Sequence, residues 1–157
     1  MGKNKGFTLV ELIAVVSVLG VLLLIAVPNI YSINQNWILE TTAREMVEDI
    51  RWAQHLAIVE GESYNFEIHL SQKYYRIRPE SNKGPSLKTV ELNSNIVNLS
   101  SSLPRAGYSG EFYDYRVLTY SPSGNPRQTG SIVLETRNGK SLTITIAVGS
   151  GRVMIKR

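Results

Sequence analysis

The hydrophobic pattern changes character twice along the chain. From Phe7 to Val27 run 21 residues of which Glu11 alone is charged. About 20 apolar residues at a rise of ~1.5 Å each span a hydrocarbon core of ~30 Å, so residues 7–28 are expected to form a transmembrane helix. Pro28 follows directly; it removes one helical hydrogen bond and disfavours helix at Val27, and a kink or a locally melted turn is expected there. The helix then resumes. From Leu39 onward, apolar residues fall at Ala43, Met46, Val47, Ile50, Ala53, Ala57 and Ile58, the 3,4 spacing of one buried stripe. Glu40, Arg44, Glu45, Glu48, Asp49 and Arg51 are expected on the opposite, solvated side, with Gly61 as the stop. Phe7 to Val59 would make an almost continuous rod of roughly 80 Å.

After Gly61 the period drops from 3.6 to 2. Tyr64, Phe66, Ile68 and Leu70 alternate with Asn65, Glu67 and His69, the pattern of a half-buried strand. A second run, Tyr74 to Arg78, follows a short turn around Ser71 and Gln72. Further strands are expected at Leu87–Leu92, Ile96–Leu99, Tyr115–Tyr120, Ile132–Thr136, Leu142–Val148 and Arg152–Lys156. Residues 100–114 and 121–130 read as loops, and Gly149-Ser150-Gly151 as a turn. Asn138-Gly139 between two alternating runs is the firmest hairpin signal. The expected fold class is α+β: a long N-terminal helix packed on an antiparallel β-sheet or β-sandwich domain. Its divisions are a short leader at 1–6, the apolar half-helix at 7–28, the amphipathic half at 29–61 and the β domain at 62–157.

A length of 157 residues suits one compact domain with an accessory segment. There is no cysteine, which excludes disulfides, Cys-based zinc sites and thiol nucleophiles. The net charge of +4 is modest but unevenly placed. Residues 40–67 hold seven acids against two arginines, whereas 115–157 hold seven bases against Glu135. Such polarity suits ordered contact with neighbours or with an anionic polymer, and equally two solvated faces of opposite sign. His55 and His69 have no acid at ligand spacing, the serine-rich loops lack a nucleophile elbow, and Gly149-Ser-Gly is too short to cradle a phosphate. No catalytic, metal or cofactor site is expected; the chain does not read as an enzyme.

Lys3 and Lys5 flank the apolar run and place the amino end in the cytoplasm, with the remainder outside. The run is longer than a secretory h-region and no small-x-small cleavage pattern closes it. Glu11 is the anomaly, because an acid near lipid wants a partner. Lys5 could reach it from the interface. Alternatively, cleavage after Gly6 would create an α-ammonium on Phe7, and a neighbouring chain's acid could pair with it and set the stagger between helices.

The ordered text Gly6-Phe7-Thr8-Leu9-Val10-Glu11-Leu12-Ile13, behind a basic leader, resembles the type III signal of type IV pilins and type II secretion pseudopilins. The resemblance implies cleavage between Gly6 and Phe7 by a prepilin peptidase and N-methylation of Phe7. It implies a role for Glu11 in methylation and in docking into a filament of other pilins or pseudopilins at an inner-membrane assembly platform. The helix text at 43–58, the loop Ser121-Pro122-Ser123-Gly124-Asn125-Pro126 and the terminal Gly151-Arg152-Val153 are similar to the GspH/FimT-like minor branch. That branch implies a hetero-oligomeric filament serving protein secretion, pilus biogenesis or competence.

DNA is the other candidate partner. Period 2 sets Arg152, Met154 and Lys156 on one face of the last strand and Val153 and Ile155 on the other. Arg127, Arg137, Lys140 and Arg157 can extend this basic edge and would give phosphate contacts without base reading. The arrangement resembles the basic Gly-Arg-x-Arg terminus of FimT-like competence proteins, with Met154 in place of the second arginine. A basic edge that discourages strand pairing is the plainer alternative.

Overall fold

The computed structural model describes residues 7–81, 85–106, 114–147 and 151–156, without the side chains of 25–32. Among these residues one helix, α1 (Leu9–Glu60), precedes eight strands: β1 (Tyr64–His69), β2 (Tyr74–Pro79), β3 (Lys88–Glu91), β4 (Ile96–Ser101), β5 (Tyr115–Tyr120), β6 (Gly130–Thr136), β7 (Ser141–Ile146) and β8 (Val153–Lys156). They build two four-stranded sheets, β3-β2-β1-β5 and β4-β6-β7-β8, with every named pair antiparallel. The chain divides into two units, Met1–Asn34 and Gln35–Arg157.

In the first unit α1 is a bare apolar helix. Phe7, Leu9, Val10, Leu12, Ile13 and every large apolar side chain onward to Leu24 are exposed. The helical assignment runs unbroken through Pro28, so the melted turn expected there is not formed. A proline forfeits one hydrogen bond to the preceding turn, and a long helix tolerates that loss. Among the described residues no helix is long and apolar enough to cross a membrane; the side chains of the last part of the apolar run lie outside those described.

In the second unit the helical stripe packs on both sheets. Leu39, Ala43, Met46, Val47, Ile50, Ala53 and Ala57 join one core with Tyr64, Phe66, Ile68, Tyr75 and Ile77 of the first sheet and Ile96, Ile132, Leu134, Leu142 and Ile144 of the second. Full burial of each Ile, Leu or Met stabilises by about 1.5–3 kcal/mol, which is what holds a helix of this composition on the sheets. Two helix residues depart from the periodic reading. Ile58 is exposed, because the stripe's phase carries it off the core side in the last turn, while Asp49, expected in solvent, is buried beside Tyr75 and Lys88. The helix stops at Gly61, whose φ of 67° is the left-handed cap conformation.

The strands fall close to the expected positions, with one difference in kind. β1 is buried on both faces rather than half-buried. Its polar residues are paired across the sheet: Thr119 Oγ1 donates to Asn65 Oδ1 at 2.8 Å, and Glu67 takes Arg76 Nε at 2.7 Å and Arg78 Nε at 2.9 Å. Alternation therefore marked two buried faces of different chemistry. At the β6–β7 turn the Gly139 amide donates to the Thr136 carbonyl at 2.9 Å and Gly139 has a φ of 79°. Asn138 keeps an ordinary φ, so the glycine is the left-handed bulge residue of a longer hairpin loop.

Candidate functional site

Two regions carry the chemistry read from the sequence. The first is the start of α1. The Glu11 amide donates to Thr8 Oγ1 at 3.3 Å, and the Leu12 amide to the Thr8 carbonyl at 3.2 Å. Thr8 thus caps the helix and Glu11 takes the third helical position, the spacing of a capping box, with its carboxylate in the first turn where the helix dipole favours negative charge. The sequence signal for this cap is Thr-Leu-Val-Glu itself, and the apolar reading passed over it. Phe7 and Glu11 are both exposed, four positions apart in sequence. Gly6 lies outside the described residues, as does the rest of the leader.

The second region is the free edge of the second sheet at β8. Among the described residues β8 pairs only with β7, in the register Thr143↔Lys156 to Ile146↔Val153, and the Ala147 amide donates to the Arg152 carbonyl at 3.0 Å. Lys156 therefore sits at the end of the edge where the β6–β7 turn brings Arg137 and Lys140, both exposed. Arg152 sits at the other end, about 13 Å away along the strand. Its Nη2 approaches Met154 Sδ at 2.7 Å. Arg157 lies outside the described residues. Arg127 does not extend the edge: it ion-pairs with Glu80 at 2.7 Å and bonds Ser63 Oγ at 2.9 Å, both on the first-sheet side. Ile155 pairs with Ile144 and so shares the face of Val153, as the alternation expects, yet it is 37% exposed where it lines the groove.

Between α1 and β7–β8 lies a groove of about 570 Å³, lined by Glu40, Arg44, Glu48 and Arg51 on the helix and by Leu142, Val153 and Ile155 on the strands. Arg51 Nη2 reaches the Val153 carbonyl at 3.4 Å. The lining mixes acids and bases, so the groove offers no uniform field for a polyanion. The edge is held to the helix by the loop after β5. Gln54 Nε2 donates to the Gly124 carbonyl at 2.8 Å, and a Cβ on Gly151 would stand 2.9 Å from that same nitrogen. Gln54, Gly124 and Gly151, distant in sequence, thus meet at one place.

His69 Nδ1 accepts from the Gln72 amide at 3.1 Å and lies 3.9 Å from Asp114, an acid that no local spacing could reveal. It stacks on Tyr74, whose hydroxyl bonds that of Tyr115. Burial and that hydrogen bond push the Tyr115 hydroxyl up to about 12. Burial works against the charge of Arg76, but its hydrogen bond to Glu67 outweighs this and holds the guanidinium above its ordinary value. Among the described residues no group of three or more His, Asp or Glu is placed to hold a metal.

Residues 1–27 match the prokaryotic N-terminal methylation motif. No curated protein matches the chain in sequence. The fold is similar to that of the type IV minor pilin FimU of Pseudomonas aeruginosa, with 13% identity over 76% of this chain and 88% of that one and a TM-score of 0.57. It is similar also to the minor pseudopilin EpsH from the type 2 secretion system of Vibrio cholerae, with 11% identity over 75% of this chain and 95% of that one and a TM-score of 0.55. The chain thus joins the N-terminal methylation motif of a prepilin-type signal to the fold shared by a minor pilin and a minor pseudopilin.

Proposed function

We propose that the protein is a minor pilin-like structural subunit of a type IV pilus or a type II secretion pseudopilus, supporting pilus biogenesis or protein secretion. A prepilin peptidase cuts between Gly6 and Phe7, and Phe7 is N-methylated. Residues 7–28 cross the inner membrane with the amino end inside, and the β domain stands in the periplasm or on a cell-surface filament. At the assembly platform the subunit leaves the bilayer and joins other pilins or pseudopilins, its apolar half-helix exchanging lipid for neighbouring helices. The observation that carries this reading is the methylation motif at residues 1–27. Mass spectrometry of the protein from cells with and without the peptidase tests it: the mature chain should begin at a methylated Phe7 only where the enzyme is present. An intact Met1 in its presence overturns the reading.

The same scaffold supports a second role, DNA uptake in natural transformation, favoured by Lys140 and Lys156 at one end of the free edge. Duplex DNA binding that weakens steeply with salt and is lost on replacing Arg152 and Lys156 is its expected signature.

A further inference from the structure

Arg105 and Arg116 stand directly opposite one another where the chain, having left β4, runs along the outer edge of β5. The Ala106 amide donates to the Tyr115 carbonyl and the Val117 amide to the Pro104 carbonyl, each at 3.0 Å. The two arginines therefore occupy a non-hydrogen-bonded antiparallel pair, the position at which opposed side chains share a face and approach most closely. Like charges at that position repel. Arg116 is also opposite Ile68 in the register of β1 and β5, on the same face as the fully buried Leu118. Its Nη1 is buried with no hydrogen-bond partner, and neither arginine has an ion pair among the described residues.

This departs from how the fold treats Arg76 and Arg78, the other described arginines that are not exposed. Arg76 and Arg78 share the Glu67 carboxylate, and Arg127 has Glu80 and Ser63. Arg105 is exposed and Arg116 half-buried; a guanidinium nitrogen shielded from water without a partner is destabilising, and a second guanidinium in the closest cross-strand position adds repulsion. We infer that Arg105 and Arg116 form a binding site for a single carboxylate, presented by an acidic side chain of an adjoining subunit. The inference rests on the pilin-like reading above. Paired guanidinium forks match the planar, two-oxygen geometry of a carboxylate. Because Nη1 of Arg116 is buried, the ligand must enter at the tip of a protruding side chain, which a glutamate does and the phosphates of a duplex do not. An adjoining copy of this chain would have such acids to offer: Glu45, Glu48 and Glu62 are exposed, in the acidic stretch 40–67.

The test uses the full chain in detergent micelles. Sodium acetate is titrated at ionic strength held constant with sodium chloride, and the arginine Nε–H signals are followed by NMR. Two signals should shift saturably, with a midpoint at least about tenfold weaker in Arg105→Gln and no response when Arg116→Gln is added. Arg116→Met, which removes the unpaired cation, should raise the Tm of the isolated chain; a fall would assign Arg116 a purely structural role and overturn the site. A response to short duplex DNA but not to acetate overturns the carboxylate assignment. So does an acetate response strengthened by Glu111→Gln, since an acid of the same chain would then hold the pair. In cells, Arg105→Glu should be processed at its N-terminus yet fail to enter filaments. Normal entry overturns the site and leaves the pilin-like reading intact, whereas absent processing of the wild type overturns that reading instead.

Discussion

Lys88 Nζ, on β3, donates to Oδ1 of Asp49, on α1, at 2.7 Å, and so ties the helix to the outermost strand of the first sheet. The other oxygen, Oδ2, accepts the Tyr75 hydroxyl at 2.7 Å, and burial together with this bond raises the tyrosine's pKa well above its ordinary value. Asp49→Ala should therefore destabilise by about 1–3 kcal/mol, because it strands a fully buried hydroxyl as well as the ammonium. Lys88→Met should cost less than Asp49→Ala, since the Asp49 carboxylate, though buried, keeps the Tyr75 hydroxyl and only the lysine end of the pair is 36% exposed to water. Denaturant unfolding of the two variants checks the order.

Glu67 is fully buried and receives both Arg76 and Arg78. Removing the shared acid leaves two guanidiniums facing each other without compensation. Glu67→Gln is expected to cost about 3–5 kcal/mol, the range for breaking a buried ion pair. Either arginine alone replaced by Met should cost less, because the remaining partner still neutralises the carboxylate. Equal effects of all three substitutions would refute the shared-acid arrangement.

High pH should unfold the β domain. Burial pushes the hydroxyl of Tyr64, which also donates to Glu60, and that of Tyr120 up to about 12. The unfolded chain releases these protons near pH 10, so between pH 10 and 12 the unfolded state holds fewer protons than the folded one. Stability is full below pH 10 and falls as pH rises through that window, by up to about 1.4 kcal/mol per pH unit for each such group. Tyr120→Phe, at a site whose hydroxyl has no partner, should flatten the decline, which a pH series of thermal melts would read.

Three left-handed glycines should respond differently to alanine. Gly139 has open space where a Cβ would go, so Gly139→Ala should cost only the backbone strain, about 1 kcal/mol. At Gly124 a Cβ would fall 2.6 Å from Ile58 Cδ1, and at Gly151 it would fall 2.9 Å from Gln54 Nε2. Gly124→Ala and Gly151→Ala should cost more than Gly139→Ala, and should loosen the β8 edge, seen as faster amide exchange at Val153 and Ile155.

Local pattern and local chemistry were legible in the sequence, and pairing across the sheets was not. The 3,4 stripe gave the buried face of the helix from Leu39 to Ala57, and Tyr115–Tyr120 was placed to the residue, because burial of one apolar face imposes a period that the chain cannot hide. Asp49, Asn65 and Glu67 look solvated in sequence because polarity predicts exposure unless a partner is known, and their partners Lys88, Thr119, Arg76 and Arg78 lie on other strands. The basic residues near the C-terminus read as one surface in sequence, yet register separates Arg152 from Lys156 and Lys140, and an acid draws Arg127 away. The opposition of Arg105 and Arg116 depends on a single bridge outside the strands, which no periodicity announces.

The cap that Glu11 helps to form and the inter-subunit pairing proposed for it predict different substitutions. As the third residue of a capped helix it gains from the helix dipole, a local effect of about 0.3–1 kcal/mol that Asp or Gln would partly retain. As the partner of a neighbouring chain's α-ammonium, the role proposed above, it would contribute a full charge that Gln cannot supply and would set the stagger between helices. Under the second role, Glu11→Gln should be cut after Gly6 at a normal rate and remain in the membrane, with incorporation into filaments reduced by tenfold or more, about 1.4 kcal/mol or greater. Glu11→Asp should recover part of that loss. Quantifying mature subunit in sheared filaments against subunit in membranes distinguishes the two: equal incorporation of Gln and Glu would leave only the cap.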